Sequence, residues 1–170
     1  MDTYHASLEK HRINVLRGFE ILDTTAEQPY DDVVFLASQI CQTPIALITL
    51  VDEDRQWFKA KVGLDINETP RNQAFCAHAI QQPTKIFEVE DATKDPRFID
   101  NPLVTGAPDI RFYAGVPLVA ATGEALGTVC VIDREPRTLT MAQAASLRAL
   151  GRLVMSMLEM RRELHKDKAN

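Results

Sequence analysis

The most reactive combination of side chains in this 170-residue chain is the run Phe75-Cys76-Ala77-His78. A thiol next to an imidazolium or at a helix N-terminus ionises more easily and becomes a nucleophile. Residues two apart on a helix point in different directions, which works against a thiolate–imidazole pair. A helix opened by Thr69-Pro70 also leaves Cys76 beyond the first turn, where the dipole acts most strongly. The expectation is therefore a packed cysteine and a hydrogen-bonded histidine.

Other candidate chemistries are weaker. His5, His11, His78 and His165 show neither H-x-x-x-H spacing nor a neighbouring cysteine pair, so no metal site is expected. Cys41, Cys76 and Cys130 are odd in number and form no C-x-x-C, which excludes a disulfide framework and fits a reducing compartment. Asp52-Glu53-Asp54 and the pair Asp91 and Asp95 fall in turn-like stretches, where Asp caps backbone N–H groups.

A small-ligand site needs a mostly apolar wall with a few placed polar groups. Trp57, Phe75, His78, Phe98, Arg111 and Tyr113 supply that mixture, although each also serves as ordinary core material. Strand alternation puts Arg111 and Tyr113 on one face and Phe112 and Ala114 on the other. Arg111 suits a carboxylate or phosphate, while Arg71 and Arg97 suit pairing with loop acids.

These residues need a scaffold, and the composition allows one. Hydrophobic residues are 45% and charged residues 25%, ordinary for a globular chain, and the length suits one domain over 1–170. A net charge of −5 lacks the basic footprint that nucleic acid requires. The longest apolar run, 44–51, is far shorter than the ~20 residues that span a bilayer, and Met1 to His5 form no signal segment. A cytoplasmic protein without membrane or nucleic-acid partners is expected.

Helical spacing of Leu8, Val15, Leu16, Phe19 and Leu22 predicts a first helix over 1–23. A second follows Pro29, with Val33, Leu36, Ala37, Ile40 and Cys41 as its inner stripe, and stops at Gln42-Thr43-Pro44. Residues 44–51 read as a strand buried on both faces, hairpinned to 56–62, which alternates as if one face were wet. A short strand at 85–89, a long polar connection over 91–109 and a second hairpin of 111–119 with 125–133 complete the sheet. Thr140 and Gln143 form a capping box opening a helix over 140–168, with Leu147, Leu150, Leu153, Val154, Met157, Leu158 and Leu164 on its apolar side.

Several segments carry a family likeness: Val51-Asp52-Glu53-Asp54-Arg55-Gln56-Trp57-Phe58-Lys59, Phe75-Cys76-Ala77-His78-Ala79-Ile80, Asp95-Pro96-Arg97-Phe98, Arg111-Phe112-Tyr113-Ala114-Gly115 and Leu126-Gly127-Thr128-Val129-Cys130-Val131-Ile132-Asp133. In that order they resemble a GAF domain of the kind placed before bacterial diguanylate cyclases and histidine kinases. The resemblance implies an α/β (α+β), PAS-related fold: a central antiparallel sheet, terminal helices on one face, and on the other a pocket of a few hundred Å³ closed by the middle helix and long loop. It implies a regulatory, non-catalytic sensor of an unknown small molecule, acting through an attached or separate output module. A parallel homodimer through the terminal helices is part of that expectation. A degenerate domain used only for dimerisation or protein interaction is the alternative, and a free methionine sulfoxide reductase-like enzyme a distant one. Residues 91–110 hold no cysteine, so no covalent bilin is expected there.

Overall fold

The computed structural model describes residues 3–170. Six strands, β1 (Ile45–Val51), β2 (Arg55–Val62), β3 (Glu68–Pro70), β4 (Phe87–Val89), β5 (Phe112–Val119) and β6 (Ala125–Asp133), form one antiparallel sheet in the order β3-β2-β1-β6-β5-β4. Helices α1 (Thr3–Gly18), α2 (Gln28–Cys41), α3 (Phe75–Ala79), α4 (Pro102–Thr105) and α5 (Met141–Lys168) surround it. The expected α+β class and both long hairpins are present.

Because layers lie on both sides of the sheet, two cores form. On one face Leu16, Val33, Ala37, Leu147 and Val154 from α1, α2 and α5 meet Ile48, Phe112 and Val129. On the other, Phe75, Phe98, Val104 and Ile110 meet Leu47, Tyr113, Cys130 and Ile132. β1 faces both, so every residue of it is buried.

Some expectations require correction. α1 stops at Gly18 rather than 23, because Glu20 and Asp23 adopt positive φ and turn the chain toward α2. The inner face of α2 is Tyr30, Val33, Val34, Ala37, Ser38 and Cys41, while Leu36 and Ile40 are exposed. Val33-Val34-Phe35-Leu36-Ala37 is apolar throughout, so more than one helical stripe fits it and contact with the sheet and α5 selects the phase.

β2 has no wet face along Gln56–Ala60. A bulge skips Lys59 in its pairing with β1, turning that side chain under the segment before α2. There its ammonium donates to Thr24 Oγ1, Thr25 O and Glu27 Oε2 at 2.9, 2.6 and 2.6 Å. Thr69-Pro70 does not open a helix. Thr69 pairs with Gln56 across β2–β3, and its hydroxyl accepts from Gln56 Nε2 at 2.7 Å, so it is not free to cap.

The predicted strand at 85–89 is only Phe87–Val89. The long connection after it is ordered by caps: Asp91 accepts from Thr93 N, and Asn101 from Leu103 N at the start of α4. α5 begins with both hydrogen bonds of the Thr140–Gln143 capping box in place. Leu153 and Leu164, assigned to its apolar side, point to solvent.

Candidate functional site

Strand register assembles a polar centre on the face beneath α3. Thr49 on β1 lies opposite Thr128 on β6, and their hydroxyls are 3.0 Å apart. Gly127 permits this close pairing, since a Cβ there would lie 1.8 Å from Thr49 O. Cys130 is flanked by Leu47 on β1 and Gly115 on β5. Gly115 matters because Tyr113 folds back over it: an added Cβ would sit 2.3 Å from the phenol oxygen. That hydroxyl is 3.1 Å from Cys76 Sγ, and Thr128 Oγ1 is 3.2 Å from the same sulfur.

Phe75 opens α3, so Cys76 lies in its first turn, not beyond it as the sequence indicated. At five residues the helix contributes little dipole, and the hydroxyls dominate the thiol's surroundings. Burial opposes ionisation of Cys76, but hydrogen bonding with Cys130, Thr128, Thr49 and Tyr113 outweighs it and lowers its pKa. Burial, followed by the neighbouring Cys76, pushes Tyr113 and Cys130 well above their usual values.

Above this centre lies an aromatic cover. Phe75 and Phe98 stack at 4.0 Å and 8°, and Phe75 meets the Tyr113 ring at 5.2 Å. His78 packs edge-on to Phe98 at 4.9 Å. No hydrogen bond joins His78 to Cys76 among the described residues, and burial, then the Arg97 charge, lowers the imidazole pKa. Arg97 lies over the Phe87 and Phe98 rings at 5.0 and 5.4 Å and pairs with Asp95, so a loop acid is its partner. Arg71 instead reaches Glu9 on α1.

These rings fill the space where a cavity of a few hundred Å³ was expected. The space left for a water-sized molecule is about 20 Å³, bordered by Gln56, Phe58, Phe75, Cys76, Tyr113 and Cys130 among others. Gln56 Oε1 is buried and has no hydrogen-bond partner among the described residues.

Of the sequence candidates, Phe75, His78, Phe98 and Tyr113 come together. Trp57 does not, because alternation along β2 places its ring in the core beneath α2. Its edge borders a separate open groove of about 600 Å³ with Asp23, Lys59 and Glu68. Arg111 precedes β5, and its Nη1 donates to Val104 O and Ile110 O at 2.9 and 3.0 Å, tethering α4. Sequence reading missed Thr49, Thr128 and Cys130 as neighbours of Cys76. Alternation indicates a face for each, but only the β1–β6–β5 register brings them under one helix. Among the described residues, no group of three His, Cys, Asp or Glu side chains is placed to hold a metal.

The characteristic sequence pattern of the GAF domain matches residues 25–158. The chain belongs to the GAF domain family. This GAF domain is 52% identical over 137 residues to a cyclic di-GMP phosphodiesterase of Pseudomonas aeruginosa, covering 80% of the chain but only 23% of that protein. Two solved structures share its fold at low identity. A domain of a putative two-component sensor histidine kinase from Sinorhizobium meliloti 1021 superposes with a TM-score of 0.65 at 15% identity, covering 87% of this chain and 100% of that one. A free methionine-R-sulfoxide reductase from Neisseria meningitidis gives 0.65 at 16%, covering 96% of each chain. The GAF domain is thus of a kind found in signalling proteins, and among its described residues no helix is long and apolar enough to cross a membrane.

Proposed function

We propose that this GAF domain is a non-catalytic regulatory input module of a cytoplasmic signalling protein, sensing a small molecule beneath α3 and α4. The observation carrying this reading is the orphaned Gln56 Oε1: a buried acceptor without a partner is costly, and a guest with one donor group and an apolar body would satisfy it. Phe75, His78, Phe98 and Tyr113 would wall the guest, with Arg111 holding α4 in place. Entry requires the cover to open, since about 20 Å³ accommodates one water at most. α3 and α4, of five and four residues, are small enough to shift without breaking the sheet.

The phosphodiesterase relative supports an attached output enzyme, because this chain corresponds to under a quarter of that protein. Output would pass through α5, where Leu153, Met160 and Leu164 are exposed and, with Met157 between them, follow a four-three-four spacing suited to a parallel homodimer seam. The filled space is what the second reading, a domain with no guest used only for dimerisation or protein interaction, rests on. Residues 91–110 offer no cysteine for a reductase-like loop or a bilin.

Native mass spectrometry of freshly purified protein, paired with thermal-shift screening of metabolites and nucleotides, tests both parts. The expected result is a dimer that carries, or is stabilised by, a small non-covalent guest. An unliganded mass with no stabilising compound overturns the sensing reading, and a monomer at every concentration overturns the dimer.

A further inference from the structure

We propose that Cys76 and Cys130 form a redox-active dithiol beneath α3, converted to an intramolecular disulfide by a small hydroperoxide. This concerns the floor of the proposed pocket but does not rest on a metabolite occupying it.

The placement of both sulfurs follows from the sheet. Cys130 lies directly across from Gly115, and the space left by the missing Cβ of Gly115 is taken by the Tyr113 phenol. That phenol is 3.1 Å from Cys76 Sγ, so α3 sets the Cys76 thiol over the strand pair that carries Cys130. Both cysteines border the same 20 Å³ space. A volume of that order holds one water-sized molecule. It excludes a metabolite in this closed state, yet approaches the size of hydrogen peroxide. Gln56 Oε1, orphaned at the same wall, supplies an acceptor for a peroxide O–H.

The hydroxyls around Cys76 favour its thiolate, the species that attacks a peroxide. Cys41, on the opposite face, provides an internal comparison: burial pushes its thiol up to about 11. In the first step Cys76 sulfur attacks one peroxide oxygen and the O–O bond breaks. The departing oxygen leaves with the thiol proton as water, and Cys76 becomes a sulfenic acid. Cys130 sulfur then attacks Cys76 sulfur, the S–S bond forms and the S–O bond breaks. The released hydroxide takes the Cys130 proton as a second water. Two electrons pass from the thiols to the peroxide, and one peroxide yields one disulfide and two waters.

Closing the bond requires Cys76 Sγ to swing from the Tyr113 and Thr128 hydroxyls onto Cys130. Cys76 adjoins Phe75, so this swing pulls on the Phe75–Phe98 stack that closes the cover. Oxidation would thereby be felt by α3 and the long connection.

The test treats the full native chain with hydrogen peroxide near neutral pH, then quenches and alkylates under denaturing conditions and maps the peptides by mass. The expected product is a Cys76–Cys130 disulfide with Cys41 still alkylated, the pair reacting at least about tenfold faster than Cys41. Cys130→Ser is expected to stop at a Cys76 sulfenic acid trapped by dimedone. Tyr113→Phe keeps the ring and removes one hydroxyl, and should slow oxidation of Cys76 by roughly five- to tenfold, the worth of about one hydrogen bond. The peptide map of the unaltered chain stands even where a variant fails to fold. Reaction of the pair no faster than Cys41, or disulfide formation only after unfolding, overturns the proposal whatever the screen for guests returns.

Discussion

Glu9 on α1 lies between Arg12 and Arg71, and this cluster docks α1 onto the β1–β2 turn. Arg12 is itself buried and donates to Val51 O and Ala125 O at 2.8 and 3.3 Å. Burial pushes the Glu9 carboxyl up, but hydrogen bonds from Arg12 and Arg71, followed by their charges, bring it down to about 2 from an ordinary 4.5. The unfolded chain therefore takes up this proton near pH 4.5, whereas the folded one resists until about 2. The Glu9 contribution is fully present above pH 4.5 and is lost as pH falls through that window. Urea unfolding of Glu9→Gln across the window should show a shallower loss of stability with falling pH than the unaltered chain. Equal slopes would mean that Glu9 is not held by the two arginines. At this scale residue types are legible in the sequence but the partner of Arg71 is not: a loop acid is expected, yet Glu9 lies 62 positions away on α1.

At the scale of elements, local signals were read well where the chemistry is local. Thr140 and Gln143 are three apart, and their reciprocal hydrogen bonds, 3.1 Å to Gln143 N and 3.0 Å from Thr140 N, need no tertiary partner. The box also joins α5 to the end of α2, as Gln143 Nε2 donates to Ile40 O at 3.3 Å. Thr140→Ala should cost about 1 kcal/mol, within roughly 0.5–2, measured from the denaturant midpoint. No change would mean that contacts of α5 with the sheet set its start without the cap. Thr69-Pro70 carries an equally local signal but opens no helix, because the Thr69 hydroxyl accepts from Gln56 on the neighbouring strand. Lys59 belongs with it. In isolation a lysine in an alternating strand marks a wet face, but a bulge and the Thr24–Glu27 segment enclose it until its side chain is 1% exposed.

For the whole molecule, the sheet has a core on each side and β1, β5 and β6 shared between them, which predicts one cooperative unit. Trp57 is the sole tryptophan and reports the face beneath α2, while far-UV circular dichroism reports all elements. Their denaturation midpoints should coincide. A separate transition in either signal would show that one layer melts independently of the rest, as a loosely attached α3–α4 cover would. By itself the sequence determined the two long hairpins, the Thr140–Gln143 cap and the family, because periodicity, turn residues and capping pairs act over a few neighbours. The tertiary structure alone decided the phase of α2, the side of the sheet on which Trp57 lies, and the closure of the expected pocket by Phe75, Phe98 and Tyr113. It also brought Cys76 to the strand pair bearing Cys130. Each of these depends on which strands lie side by side and in what register, and contacts between residues 37 to 79 positions apart are not written in any local run of side chains.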